Sequence, residues 1–181
     1  MPTRFRRTRA GVSVTFDVDE AGLLSRLIDE LLELLDDSDA PTVEEDPLAR
    51  SVGIGTASKL PGDPALARLF PDAYADDPEG AAEFRRYTEA GLREGKRADA
   101  RAVQVGLAQA GGKQLLDPEL AQAWLRTLND LRLTIGTRLE VTQDMDEASF
   151  DSWADEDPRK PVFAVYSWLG WLQEMLVRSL W

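Results

Sequence analysis

The stretch Val12-Ser13-Val14-Thr15-Phe16-Asp17-Val18-Asp19-Glu20 changes period in its middle. Up to Phe16, apolar and polar side chains alternate, the two-residue period of a half-buried strand. Beyond Glu20, Leu23, Leu24, Leu27, Ile28, Leu31, Leu32 and Leu35 recur at helical spacing and form a wide apolar stripe. Between the two, Asp17 and Glu20 stand at the spacing of a capping box. A strand therefore hands over directly to a helix. Upstream, Phe5-Arg6-Arg7-Thr8 and the Val12 run flank Arg9-Ala10-Gly11, and glycine supplies the positive φ of a tight turn. This predicts a β-hairpin. Two strands alone are marginally stable, so the face carrying Val12, Val14 and Phe16 must dock on helices.

Downstream, residues 36–78 are rich in Pro, Gly and Asp, and form a long connection without a long periodic run. Inside it, 64–70 predicts a short helix with Asp63 as N-cap and Pro64 in the first turn. Asp77-Pro78 opens a long helix reaching toward Ala110. One seam of that helix holds Phe84, Tyr87, Gly91, Gly95, Ala98, Ala102 and Val105, and its small residues predict a close helix crossing. Residues 113–116 predict a short strand beside the hairpin. Asp117-Pro118 starts the next helix, with Leu120, Trp124, Leu128, Leu131, Ile135 and Leu139 on one face. An acidic loop follows over 141–160, with a short helix around 147–153. Pro161 then opens a last helix to Trp181. That segment is about long enough to span a bilayer, but Gln173, Glu174 and Arg178 argue for a buried or partner-facing helix instead.

The whole chain has 181 residues, 33 acids against 21 bases and a net charge of −12. With 43% hydrophobic residues it belongs among globular chains. It contains neither cysteine nor histidine. Disulfides, thiolate nucleophiles, Fe–S clusters, Ser-His-Asp triads and HExxH zinc sites are thereby excluded within it. Missing cysteine fits a reducing cytoplasm, and residues 10–19 do not form the apolar core of a signal peptide. We therefore expect a cytoplasmic protein without a membrane segment.

Two motifs come close to known ligand loops and miss. The run 53–59 has Ser58 where a phosphate loop needs glycine, and Leu60 where it needs Ser or Thr. Asp144-x-Asp146 opens like a calcium loop but continues with Ala148 and Ser149. No catalytic residue, cofactor or metal ligand is assigned. The candidate binding residues are instead basic. Arg4, Arg6 and Arg7 form one island, and Arg86, Arg93, Arg97 and Arg101 fall on one predicted helix face. Either island would suit an acidic partner or phosphates.

Several blocks of the chain carry a resemblance. They are Arg68-Leu69-Phe70-Pro71-Asp72-Ala73-Tyr74-Ala75-Asp76-Asp77, Glu83-Phe84-Arg85-Arg86-Tyr87-Thr88, and the run 123–133. The opening Phe5-Arg6-Arg7 and the closing run 166–176 belong with them. Across nearly its whole length the chain resembles an actinobacterial, AosR-like domain family of unknown function, typically encoded beside the Clp protease adaptor. The resemblance implies a transcriptional or stress-regulatory role rather than an enzyme, and it supplies no catalytic or ligand residues. Redox sensing through cysteine pairs cannot carry over, because the sequence has none.

Residues 1–181 thus read as a single, mainly α domain of four to six helices with an N-terminal β-hairpin docked on it. The expected function is non-enzymatic cytoplasmic regulation through an acidic protein partner, of the transcription machinery or the Clp system, with homodimerisation open. A direct DNA-binding regulator using the arginine patches is the alternative, and a carboxylate enzyme the third reading.

Overall fold

A computed structural model of the chain describes residues 4–36, 59–74, 76–109, 113–142, 150, 153–154 and 156–180. The phosphate-loop-like run up to Ser58, the calcium-loop-like run and most of the helix expected around 147–153 lie outside them. The order is β1 (Arg4–Thr8), β2 (Gly11–Thr15), α1 (Val18–Asp36), α2 (Pro64–Leu69), α3 (Pro78–Gln109), β3 (Lys113–Leu116), α4 (Pro118–Arg138) and α5 (Arg159–Leu180). This is the mainly α fold with an N-terminal hairpin that the periodicities predict.

Local chemistry sets most boundaries. The Glu20 carboxylate accepts from the Asp17 N–H at 2.8 Å, while the Asp17 carboxylate accepts from the N–H of Glu20 at 2.9 Å. That reciprocal pair closes the capping box at the start of α1. Asp63 and Asp117 cap α2 and α4, each followed by proline in the first turn. α5 starts slightly before Pro161, at Arg159, because Asp157 accepts from the Arg159 N–H at 2.9 Å. Pro161 then sits in the first turn, where an N–H would lack an intrahelical partner anyway. Gly11 has φ 134°, and a Cβ there would run into the Leu116 carbonyl.

The sheet is antiparallel, in the order β1-β2-β3. Its inner face presents Val12, Val14, Gln114 and Leu116 to the helices, all buried. α4 is the central helix, contacted by α1, α2, α3, α5 and β3. Trp124 of α4 stacks on Phe16 with ring centroids 5.3 Å apart, which fastens the end of the hairpin to the core. Leu24, Ile28, Leu31 and Leu35 of α1 and Leu169, Leu172 and Leu176 of α5 complete that core.

The expected crossing at Gly91 and Gly95 is not found among the described residues: a Cβ at either glycine would meet none of them within 4 Å. Among the described residues the seam Phe84–Val105 is left exposed, opposite the core side of α3. Close helix approach occurs instead between α4 and α5, where a Cβ on buried Gly136 would lie 3.1 Å from the Tyr166 ring.

Candidate protein-interaction surface

α3 carries charged residues on its core side because of what it passes. A helix leaves its last carbonyls without intrahelical donors. The core side of α3 crosses the C-terminal ends of both α1 and α2. The guanidinium of Arg93 donates to the Leu35 carbonyl at 2.9 Å, and that of Arg97 to the same oxygen at 2.8 Å. Arg85 donates to the Phe70 carbonyl at 3.1 Å and to Asp72 at 2.6 Å. Glu89 lies between Arg85 and Arg93 and pairs with both, at 2.8 and 2.7 Å. Cations at helix C-termini also favour the helix dipoles. Arg85, Glu89 and Arg93 are 5%, 3% and 2% exposed, and the Arg93 guanidinium stands 4.8 Å over the Phe70 ring.

This burial corrects the reading of Arg86, Arg93, Arg97 and Arg101 as one exposed basic face. Arg93 is interior. Arg97 is half-buried and bound to Asp36 at 2.6 Å. Only Arg86 and Arg101 of the four are exposed. With aromatic Phe84 and Tyr87 taken as inward residues, Arg85 and the Glu89–Arg93 pair belong to the solvent side of α3, the reverse of their burial. The i, i+4, i+8 alternation of Arg85, Glu89 and Arg93 was the available signal.

The N-terminal island fares differently. Strand alternation sends Phe5 and Arg7 to the side of Val14 and Val12, where Phe5 meets Trp171 of α5 edge-on at 6.5 Å. Arg6 falls on the opposite, open face, and the backbone of Arg4 is in register with Thr15. Two rows cross that face: Arg4, Thr15 and Lys113, then Arg6, Ser13 and Leu115. Arg6, Thr15 and Lys113 are exposed, and Leu115 is 54% exposed. The three strands contain no acid, and Arg9 in the turn adds another base. The structure therefore builds a basic open sheet face with an apolar Leu115 in it, on a chain of net charge −12. Guanidinium groups offer paired donors to carboxylates. The described strands put no aromatic ring on this face, so it offers no platform for stacking bases.

A second feature is a cleft of about 240 Å³ lined by Lys96, Asp99, Leu125, Arg126, Asn129 and Asp130. Lys96 pairs with Asp130 at 2.7 Å, and Arg126 holds both oxygens of Asp99, at 2.6 and 2.8 Å. Burial pushes the Asp130 carboxyl above its ordinary value, and the hydrogen bond from Lys96 opposes that rise. A raised folded pKa stabilises the fold most below the unfolded value near 3.8 and loses that contribution as pH rises through the folded value. Asp130→Asn removes this titration. Its stability relative to wild type should be highest at neutral pH and should decline as pH falls toward 3.8. Urea unfolding at neutral pH and near pH 4 measures this, and a constant difference would contradict the assignment.

Among the described residues no helix is long and apolar enough to cross a membrane. The family model described as "Domain of unknown function (DUF2017)" matches residues 2–180. The Mycobacterium tuberculosis (strain H37Rv) protein named "Oxidative stress regulator AosR" is 36% identical over 175 residues, covering 89% of this chain and 78% of its own. The Mycobacterium bovis protein of that name has the same identity and coverage. The Mycobacterium leprae "Putative oxidative stress regulator AosR" is 31% identical over the same shares. No solved structure matches the chain significantly. With a family match from end to end and relatives above 30% identity, this chain belongs to the DUF2017 family.

Proposed function

We propose that this protein is a non-enzymatic, cytoplasmic regulator of the stress response that docks an acidic protein partner on the open face of its sheet, in the control of transcription. The observation that carries the reading is the acid-free face of Arg6, Lys113 and Leu115 on an otherwise strongly acidic chain. A local acidic patch can meet this face, whereas duplex DNA extends beyond it into the field of the net charge. The names of the mycobacterial relatives support the stress-regulatory setting. The buried charges support a non-catalytic role, since Arg85, Glu89 and Arg93 are engaged in ion pairs within α3 and to Asp72, and Lys96 with Asp130 in one that joins α3 to α4.

The test compares two charge reversals on exposed positions. Arg6→Glu with Lys113→Glu should lower partner recovery from native lysate by more than about tenfold, since each charged hydrogen bond contributes about 1.5–3 kcal/mol. Arg86→Glu with Arg101→Glu should leave recovery within about twofold of wild type. Binding to duplex DNA at physiological salt should stay in the non-specific range of about 10⁻⁶–10⁻⁴ M. Sequence-specific, submicromolar duplex binding abolished by the sheet pair would make the protein a direct DNA-binding regulator instead.

A further inference from the structure

The cleft between α3 and α4 holds charges whose hydrogen-bonding capacity the fold only partly uses. Asp130 is 3% exposed, yet it lines an open space of about 240 Å³. Its Oδ1 accepts from the Lys96 ammonium at 2.7 Å. Its Oδ2 accepts from no described residue, but it is not a sealed atom like the Trp124 indole nitrogen. That oxygen therefore looks into the cleft. Lys96 has three N–H donors, gives one to Asp130 and keeps 23% of its side chain exposed. Arg126 stands at the mouth, where Nε and Nη2 hold Asp99 and Nη1 has no acceptor among the described residues. Exposed Asn129 adds an amide, which both donates and accepts. A buried ion pair adds little stability by itself, because desolvation offsets the attraction. A pair kept only for packing would also be filled in around, since interiors are close-packed. Here the unused valences border a space instead.

The charges select the occupant. A lone cation seated on Asp130 Oδ2 lies close to the Lys96 ammonium. A lone anion seated on Lys96 lies as close to the Asp130 carboxylate. Like charges so near each other repel strongly away from bulk water. A ligand carrying both charges side by side escapes both repulsions, with its ammonium on Asp130 and its carboxylate on Lys96. Its dipole then runs opposite to that of the Lys96–Asp130 pair. In an α-amino acid the two charged groups are joined through a single carbon, so their separation is close to the 2.7 Å of that pair. Asn129 can accept from the ammonium, and Arg126 can donate to the carboxylate at the mouth. A space of about 240 Å³ with Leu125 as the apolar part of its lining suits a short side chain.

We propose that the cleft between α3 and α4 binds a free α-amino acid with a short side chain, its ammonium on Asp130 and Asn129 and its carboxylate on Lys96 and Arg126. The ligand is small and the cleft is open at its mouth, so the dissociation constant falls at about 0.1–1 mM. The cleft shares no residue with the open sheet face. This site and the docking of a protein partner therefore stand independently.

Amide NMR titration of the full chain with glycine, L-alanine, L-serine and L-valine tests this. At least one of the four should give saturable shifts, largest at Lys96, Asp99 and residues 125–130. Ethylamine and propionate are the two halves of alanine, each with one of its charges. Each should bind at least about tenfold more weakly than the best amino acid, having lost one charged contact. Asp130→Asn keeps the shape, removes the anion and should weaken binding by about tenfold or more. Asn129→Ala, at an exposed position, should weaken it about two- to tenfold with the thermal midpoint unchanged, an effect that a merely structural ion pair would not produce. That variant and the two half-ligands decide the matter should Asp130→Asn fail to fold. Arg86→Ala, away from the cleft, should bind as wild type does. The proposal is overturned by no saturable shift with any of the four, by a half-ligand that binds as tightly as the amino acid, or by shifts centred outside the cleft. Undiminished binding by both Asp130→Asn and Asn129→Ala would overturn it as well.

Discussion

Replacing Glu89 with alanine is expected to cost the fold about 3–5 kcal/mol, the range for breaking a buried ion pair from one side. Glu89 is 3% exposed and is shared between the buried guanidinium groups of Arg85 and Arg93. Without it, the buried Arg93 guanidinium loses its carboxylate and Arg85 keeps only half-exposed Asp72. For a chain of this length the loss corresponds to a fall of roughly 6–20 °C in thermal midpoint. Replacing all three members by apolar residues is often neutral in other buried ion-pair sets. Here it should still destabilise, because the carbonyls of Leu35 and Phe70 would lose their donors. Arg86→Ala and Arg101→Ala, on exposed positions of the same helix, should stay within about 0.5 kcal/mol of wild type. Urea unfolding of the four variants checks the set, and a Glu89→Ala protein as stable as Arg86→Ala would remove the clamp from the account.

Trp124→Ala should be of similar size, about 3–5 kcal/mol. Trp124 is 1% exposed, lies on the central helix and carries the Phe16 ring against its own. The cavity would open where the hairpin meets the helices, so its effect should be uneven. Amide exchange in β2, especially at Val14, should rise more than exchange in the middle of α5. Trp124→Phe should cost under about 1.5 kcal/mol, since it keeps the stacking and removes an indole N–H that is buried without an acceptor among the described residues. Equal exchange changes in β2 and α5 for Trp124→Ala would mean that Trp124 is general core rather than the hairpin's anchor.

The elements that sequence reading found are those written in neighbouring residues. Asp17 with Glu20, Asp63 with Pro64, and Asp117 with Pro118 mark helix starts because capping acts over two or three positions. The alternation in 12–16 likewise names the buried side of β2, whereas 113–116 buries polar Gln114 and exposes Leu115, which its sequence does not announce. The orientation of α3 was not legible in that way. Its inward residues answer to carbonyls 58 positions away at Leu35 and 15 away at Phe70, and no local pattern announces them. Aromatic and small residues then drew the prediction to the wrong side, placing Arg93 outside and Gly95 inside. The candidate surface was half legible. Alternation in β1 separates Arg4 and Arg6 from Arg7, but Lys113 and Leu115 join them only through the pairing of β3 with β2.

The central claim is that function resides on the open sheet face and that a protein meets it there. A photo-reactive side chain in place of Leu115, with a control in place of exposed Val18 at the start of α1, tests this within a cell that expresses the protein. The account predicts discrete protein adducts from position 115, absent from position 18 and lost when Arg6→Glu and Lys113→Glu are added. Adducts to nucleic acid alone, or none from position 115 beyond those from position 18, would contradict it.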